Sequence, residues 1–293
     1  MAGGNPVFDR LNKQIEQERY AGFGSPQGSQ SGPVQGTQAA SAGYAAQDAM
    51  STQQLNDLYA QQAAGPVDTG RVTLDDIIVK SLVLFGITLA VAAVSWFWTA
   101  ANTDLTLPFW LGGMFGTLIL GFVIAFSKKV SVPLLLVYAA LQGAFLGAFS
   151  QYINAIPKYE GVVVTAVLAT LCTFAAMYVG YATGFVKVND RTRRMFFFAL
   201  VGYGIFSLLQ VVLLMTGVLD GWGFGGSGSF GILISLFGVG LAAYSLAVDF
   251  DSIDNAVRVG APAKYSWLLA HGLVVTLVWL YVEFVRLFAR LRD

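Results

Sequence analysis

Four acids and one histidine in the last third of the chain could do chemistry because of where they fall. Asp249, Asp251 and Asp254 follow directly on residues 229–248, which carry no charge, and Glu283 interrupts a second apolar run, WLYVEFVRLFARL. An acid kept in such a run is costly and marks a functional site by default. At about 100° per residue, Asp251 and Asp254 share one helix face, whereas Asp249 points about 200° away from Asp251, so at most two of the three form one site. A carboxylate partly withdrawn from water beside a second one holds its proton more tightly, so such a cluster can bind a proton or a cation. The sole histidine, His271, lies five residues into the last apolar run, and folding back at Gly260–Pro262 brings it near the depth of Asp249 and Asp251. A His–carboxylate contact there would titrate near physiological pH. The alternatives are a solvated helix end for the three aspartates and a packed histidine.

These residues need a scaffold, and the composition says which solvent it meets. At 293 residues, 56% hydrophobic and 12% charged, with a mean hydropathy of +0.63, the chain is too apolar for an ordinary soluble domain. Its net charge is zero, which gives no basic field for nucleic acid. Cys172 is the single cysteine, so no intrachain disulfide forms, and its apolar neighbourhood predicts a small buried hydrophobe. Residues 1–20 lack the apolar core of a secretory signal.

The chain divides at about residue 70. Within 1–70, residues 5–20 place Val7, Phe8, Leu11 and Ile15 on one face of an amphipathic helix, and the Gly-, Ser-, Gln- and Ala-rich residues 21–69 read as a disordered cytoplasmic tail. Residues 71–293 form the membrane domain. Thr73 is placed to cap a helix with Asp75 and Asp76 in its first turn. Seven apolar segments follow, at 77–99, 109–127, 132–152, 162–183, 196–217, 230–250 and 266–288. Each matches the ~20 residues needed to cross a hydrocarbon core of ~30 Å. The fold class is therefore an all-α integral membrane protein, a seven-transmembrane-helix bundle. Gly112 and Gly116, and Gly143 and Gly147, have the spacing that lets helix backbones approach, within the bundle or between copies.

Basic residues set the expected orientation, because cytoplasmic loops carry the excess of Lys and Arg. Arg10, Lys13, Arg19, Arg71, Lys80, Lys128, Lys129, Lys187, Arg191, Arg193, Arg194, Arg258 and Lys264 fall on one side, against Lys158 on the other. The N-terminus is thus expected in the cytoplasm, with the three aspartates at the inner boundary of a cell (inner) membrane. Arg286, Arg290 and Arg292 run against this rule. The last segment either spans with a basic outer end or re-enters, and its length favours spanning.

FDSI followed by WLYVEFVRLFARL, after six further apolar segments, resembles the transmembrane Bax inhibitor motif (Bax inhibitor-1) family, whose last two helices carry an FDTQ-like and an LYLDFINLFLxLLR-like pattern. NPVFDRL and TLDD resemble a bacterial branch. The resemblance covers about residues 70–293 and rests mainly on the last 45. It implies a bundle with a central last helix and a pH-sensitive passive Ca²⁺ leak controlled by two acids that share a proton. Asp251 matches the FDTQ aspartate and Glu283 the acid of the last helix. Two departures follow. The second acid is glutamate, and the two stand 32 residues apart, about seven more than the family pattern, which keeps their facing but shifts their relative depth by ~10 Å. The second helix also lacks the family's basic latch, for which Lys128 and Lys129 are the nearest substitutes.

The expected pH-sensing set is therefore Asp251, Glu283, Asp249, Asp254 and His271, with Asp251 and Asp254 as the Ca²⁺ ligands of the leak that the resemblance implies. No cofactor and no enzymatic activity are expected. A retinal protein would need a lysine within residues 266–288, which contain none, and neither a facing aspartate pair nor an activated serine of an intramembrane protease is readable. The expected partners are the bilayer, Ca²⁺ and protons. The competing reading is a non-transporting membrane regulator acting in stress protection on membrane proteases or quality-control complexes.

Overall fold

A computed structural model describes residues 70–127 and 129–293. The amphipathic segment 5–20, the tail 21–69 and Lys128 lie outside them. Seven long helices follow in order: α1 Leu74–Ala101, α2 Thr106–Phe126, α3 Val132–Asn154, α4 Val162–Ala182, α5 Asp190–Met215, α6 Ser229–Arg258 and α7 Ser266–Arg292. All seven are long and apolar enough to cross a membrane, and the described residues contain no strand.

Local chemistry sets where the helices begin and turn. Thr73 accepts the Asp76 amide at 3.2 Å and Asp76 receives Lys80 at 2.6 Å one turn on, a capped and charge-complemented start. Asn189 and Thr192 exchange a capping box at the head of α5. The α6–α7 turn needs Gly260, whose φ of 65° suits glycine. That turn is pinned to the approach to α1, where Val72 N–H donates to Ala261 O at 2.7 Å and Ala263 N–H to Gly70 O at 2.6 Å.

The last helix is central. α7 packs on α1, α3, α4 and α6, while α2 sits outside α3 and α1, and α5 lies beside α6. Its fully buried Leu280, Val285 and Ala289 fill the interior. The outer faces are apolar: Phe97, Phe122, Leu168 and Phe198 are among many large side chains left exposed, which fits lipid as the surrounding solvent. Cys172 is on such a face of α4 rather than buried, because α4 turns Val162, Ala166 and Thr170 inward instead.

The closest helix approach is α1 on α3. A Cβ on Gly143 would meet Val91 Cβ at 2.9 Å, and one on Gly147 would meet Ser95 Cβ at 2.8 Å and press on the Ala92 carbonyl. Ser95 hydroxyl donates to Ala144 O at 2.8 Å across this seam. On α2 the tight position is Gly113, against the Phe145 backbone, whereas Gly112 has open space. The glycine spacing thus serves packing inside the bundle.

α7 is one continuous helix to Arg292, so it crosses the bundle and does not re-enter. Its far end meets the α3–α4 connection: Lys158 pairs with Asp293 at 2.8 Å and Tyr159 hydroxyl donates to Asp293 at 2.8 Å. The Lys158 hydrogen bond holds the Asp293 carboxyl below its ordinary value. Its small contribution is present above the unfolded pKa and is lost as pH falls through the folded one.

Candidate functional site

The sequence places the three aspartates at the end of the sixth segment, but α6 continues to Arg258 and they lie within it. The helix persists because its inward face continues beyond the apolar run, with Ile253 and Ala256 buried against Ile77, Leu269 and Ala270. The facing derived from 100° per residue holds. Asp249 is buried and Asp254 exposed, with Asp251 between them in exposure.

Asp249 projects from α6 toward α7. A Cβ on Gly272 would be 3.9 Å from its Oδ1, the buried Thr276 of α7 stands beside it, and Oδ2 has no hydrogen-bond partner. His271 is the neighbour of Gly272 in sequence, yet its ring turns to α3, edge-on to Tyr138 with centroids 4.4 Å apart. The expected His–carboxylate contact is not formed: the side chain one position on, across about 100° of helix, faces another neighbour.

Asp251 points the other way, where Arg193 at the head of α5 forms an ion pair with it through Nη2 and Oδ2. Tyr181, near the end of α4, lies close by, its ring against Phe250 with centroids 6.0 Å apart, and the charges of Asp254 and Arg258 act on Asp251. Three helices therefore converge on this carboxylate. The sequence offers Lys128 and Lys129 as its cationic partner. Lys129 is exposed, its backbone is bonded to the Ser127 hydroxyl, and Arg193 makes the ion pair. Arg193 is legible only as an inner-loop charge, since nothing local in the sequence aims it at α6.

Glu283 occupies a different layer. Its Oε1 accepts from Tyr203 hydroxyl at 2.8 Å, Trp279 Nε1 at 3.1 Å and Arg286 Nη1 at 3.3 Å. It faces Gly238, where a Cβ would lie 2.7 Å from Oε2. Asp249 is thus level with Gly272, and Glu283 with Gly238. Both intervals, Gly238 to Asp249 and Gly272 to Glu283, are eleven residues, or about 16 Å of helix. Asp251 and Glu283 are accordingly not brought together, as their 32-residue separation implies, and a shared proton between them has no geometric basis here. Between the layers Ala242, Leu246 and Leu280 are fully buried.

The three C-terminal arginines that defied the charge rule are each used internally. Arg286 serves Glu283, Arg292 donates to the Glu160 carbonyl, and Arg290 is 1% exposed. Arg290 donates to the Gly231 carbonyl, to Ser235 Oγ at 3.1 Å and to the Trp222 carbonyl at 2.7 Å. An arginine near a membrane-helix end reads from sequence as an interfacial anchor, so this clamp was not foreseen.

The arrangement offers ionisable oxygens at two depths, a cation latched to one and tethered beside the other, and an apolar layer between. Among the described residues there is no cluster of three His, Cys, Asp or Glu with metal-holding geometry. A comparison with curated proteins gave no match. The model of the family described as Bax inhibitor 1 like matches residues 5–293, nearly the whole chain. By that match, and with seven apolar helices packed around a central last one, the chain belongs to the Bax inhibitor 1 like family.

Proposed function

We propose that this membrane protein is a pH-sensitive passive Ca²⁺ leak whose inner mouth is controlled by Asp251. The observation that carries the reading is the ion pair joining Asp251 of α6 to Arg193 of α5. Protonation of Asp251 removes the charge that holds Arg193, loosening α5 from α6. Once Arg193 is released, the oxygens of Asp251 and Asp254, on one face of α6, offer a hard cation its first ligands. The apolar layer of Ala242, Leu246 and Leu280 describes a closed state, since such constrictions block ions until they hydrate. The reading is non-enzymatic and needs no cofactor.

The test is Ca²⁺ entry into liposomes containing the pure protein. Arg193→Gln removes the latch and leaves Asp251 in place, so it should raise entry near neutral pH toward the level that wild type reaches in acid. Entry no greater than in empty liposomes for wild type and variant alike would favour the non-transporting regulator.

The reading places the N-terminus and the Asp251 end in the cytoplasm of a cell with an inner membrane. The α1 approach, the α4–α5 connection and the α6–α7 turn share one end, because Arg71 bridges Pro262 and Arg193 meets Asp251. In a Cys172→Ala background, Lys187→Cys should resist an impermeant thiol reagent in intact cells while Ser227→Cys reacts. Reaction at residue 187 from outside would invert the orientation.

A further inference from the structure

The α5–α6 connection, TGVLDGWGFGGSG at residues 216–228, has little to pack with, because glycine occupies 217, 221, 223, 225, 226 and 228. Its backbone closes short turns of its own: Gly223 N–H donates to Asp220 O at 3.1 Å, Gly226 N–H to Gly223 O at 2.9 Å and Gly228 N–H to Gly225 O at 3.1 Å. What holds it to the bundle gathers on Trp222. The indole N–H donates to the Tyr159 hydroxyl at 3.0 Å, with the two rings in a T-shaped contact at 5.8 Å. The Trp222 carbonyl accepts from Gln210 Nε2 of α5 at 3.2 Å and from Arg290 Nη2 of α7 at 2.7 Å. Phe224 adds a ring contact with Phe206 at 5.5 Å. Since Tyr159 also holds Asp293, one residue ties this connection to the α3–α4 connection and to the end of α7.

Two features make the segment able to lift. Gly217, where α5 ends, has a φ of 73° with nothing within 4 Å of a Cβ, a glycine hinge in open space. Beneath the segment, Gln210 Oε1 and Arg290 Nε are buried without a hydrogen-bond partner. Closure leaves both unpaired, and solvent reaching them on opening offsets part of the contacts that are lost. We propose that residues 217–228 form a strap that opens and closes the end of the bundle away from Asp251, with Trp222 as its catch on Tyr159 and Gly217 as its hinge. Control of an ion by this strap rests on the reading of the protein as a calcium leak; the movement itself does not.

Thiol access tests the strap on the full-length protein in detergent, in the Cys172→Ala background. Ser235→Cys sets a reporter at a position 1% exposed that is joined to Trp222 through the Arg290 guanidinium. Ser252→Cys sets a buried control toward the other end of α6. Trp222→Ala should speed modification of residue 235 by a water-soluble methanethiosulfonate about tenfold and leave the control rate unchanged. Tyr159→Phe keeps the ring, removes the hydroxyl and should give a smaller rise at residue 235. An unchanged rate there in Trp222→Ala overturns the strap, as does an equal rise at both reporters, which is the sign of general unfolding. In liposomes, adding Trp222→Ala to Arg193→Gln should raise Ca²⁺ entry above that of Arg193→Gln alone, as two closures in series require. Faster labelling with no Ca²⁺ entry by any variant keeps the strap and sinks the leak, whereas entry by Arg193→Gln that Trp222→Ala does not raise overturns the strap as a closure of the leak.

Discussion

Arg290→Met is expected to lower the thermal midpoint of the detergent-solubilised protein by several degrees, a large effect for one substitution in α7. The guanidinium is buried and donates to the carbonyls of Gly231 and Trp222, to Ser235 and, at 3.4 Å, to the Phe224 carbonyl. Those acceptors belong to the start of α6 and the α5–α6 connection, and at that depth bulk water does not replace the lost donor. Leaving them unpaired costs on the order of 3 kcal/mol, roughly 6–12 °C for a domain of this size. Arg290→Lys keeps the charge but not the fork that serves separate carbonyls, and falls between the two. A midpoint for Arg290→Met within about 2 °C of wild type, roughly the effect of 1 kcal/mol or less, would mean the clamp is not formed.

Gly147→Leu should have the other large effect. The seam between α1 and α3 has no room for a Cβ at this position, with Ser95 Cβ 2.8 Å away and the Ala92 carbonyl nearer still. α1 must therefore move off α3, breaking the Ser95 hydroxyl's bond to the Ala144 carbonyl and the Thr88 hydroxyl's to the Ala139 carbonyl. Overpacking a tight seam costs about 1–3 kcal/mol even when the backbone adjusts, and Leu adds three carbons beyond the first clash. Gly112→Leu is the matched control, since nothing lies within 4 Å of its Cβ; better helix propensity makes it neutral or slightly stabilising, by up to about 1 kcal/mol. Folded yield by size exclusion and thermal midpoints check both, and equal behaviour of the two variants would contradict the packing.

The contrast between those glycines shows what the sequence can carry. Spacing of small residues announces close helix approach, and it pointed correctly to Gly143 and Gly147. On α2 it selected Gly112 and Gly116, of which Gly116 meets Leu141 while Gly112 faces open space and Gly113 makes the tighter contact, because facing depends on which neighbour α2 meets. The seven helices were legible because lipid demands about 20 apolar residues per crossing. The extent of α6 was not, since its last two turns are held by burial of Ile253 and Ala256 against α1 and α7 and not by hydropathy.

The candidate site was legible in part. Asp249, Asp251 and Glu283 stood out as acids in apolar runs, helical geometry separated Asp249 from Asp251, and the 32-residue separation, set against the family pattern, put Glu283 at another depth. Their partners were hidden. Arg193 lies 58 positions before Asp251 and Tyr203 lies 80 before Glu283, pairings that depend on how α5 lies beside α6. The arginines of α7 looked like a breach of the charge rule, yet each finds an acceptor within the protein. Burial among carbonyls changes what a basic residue at a helix end means.

The most direct test of the central claim is the pH profile of Ca²⁺ entry into liposomes, measured for wild type and Asp251→Asn in parallel. Asparagine has the size of the protonated acid and cannot hold Arg193 as an ion. The account predicts that wild-type entry rises as pH falls and that Asp251→Asn gives a nearly flat profile at the wild-type acid level, with an unchanged elution volume on size exclusion. A pH profile of Asp251→Asn that superimposes on wild type would show that the Asp251–Arg193 latch does not control the leak.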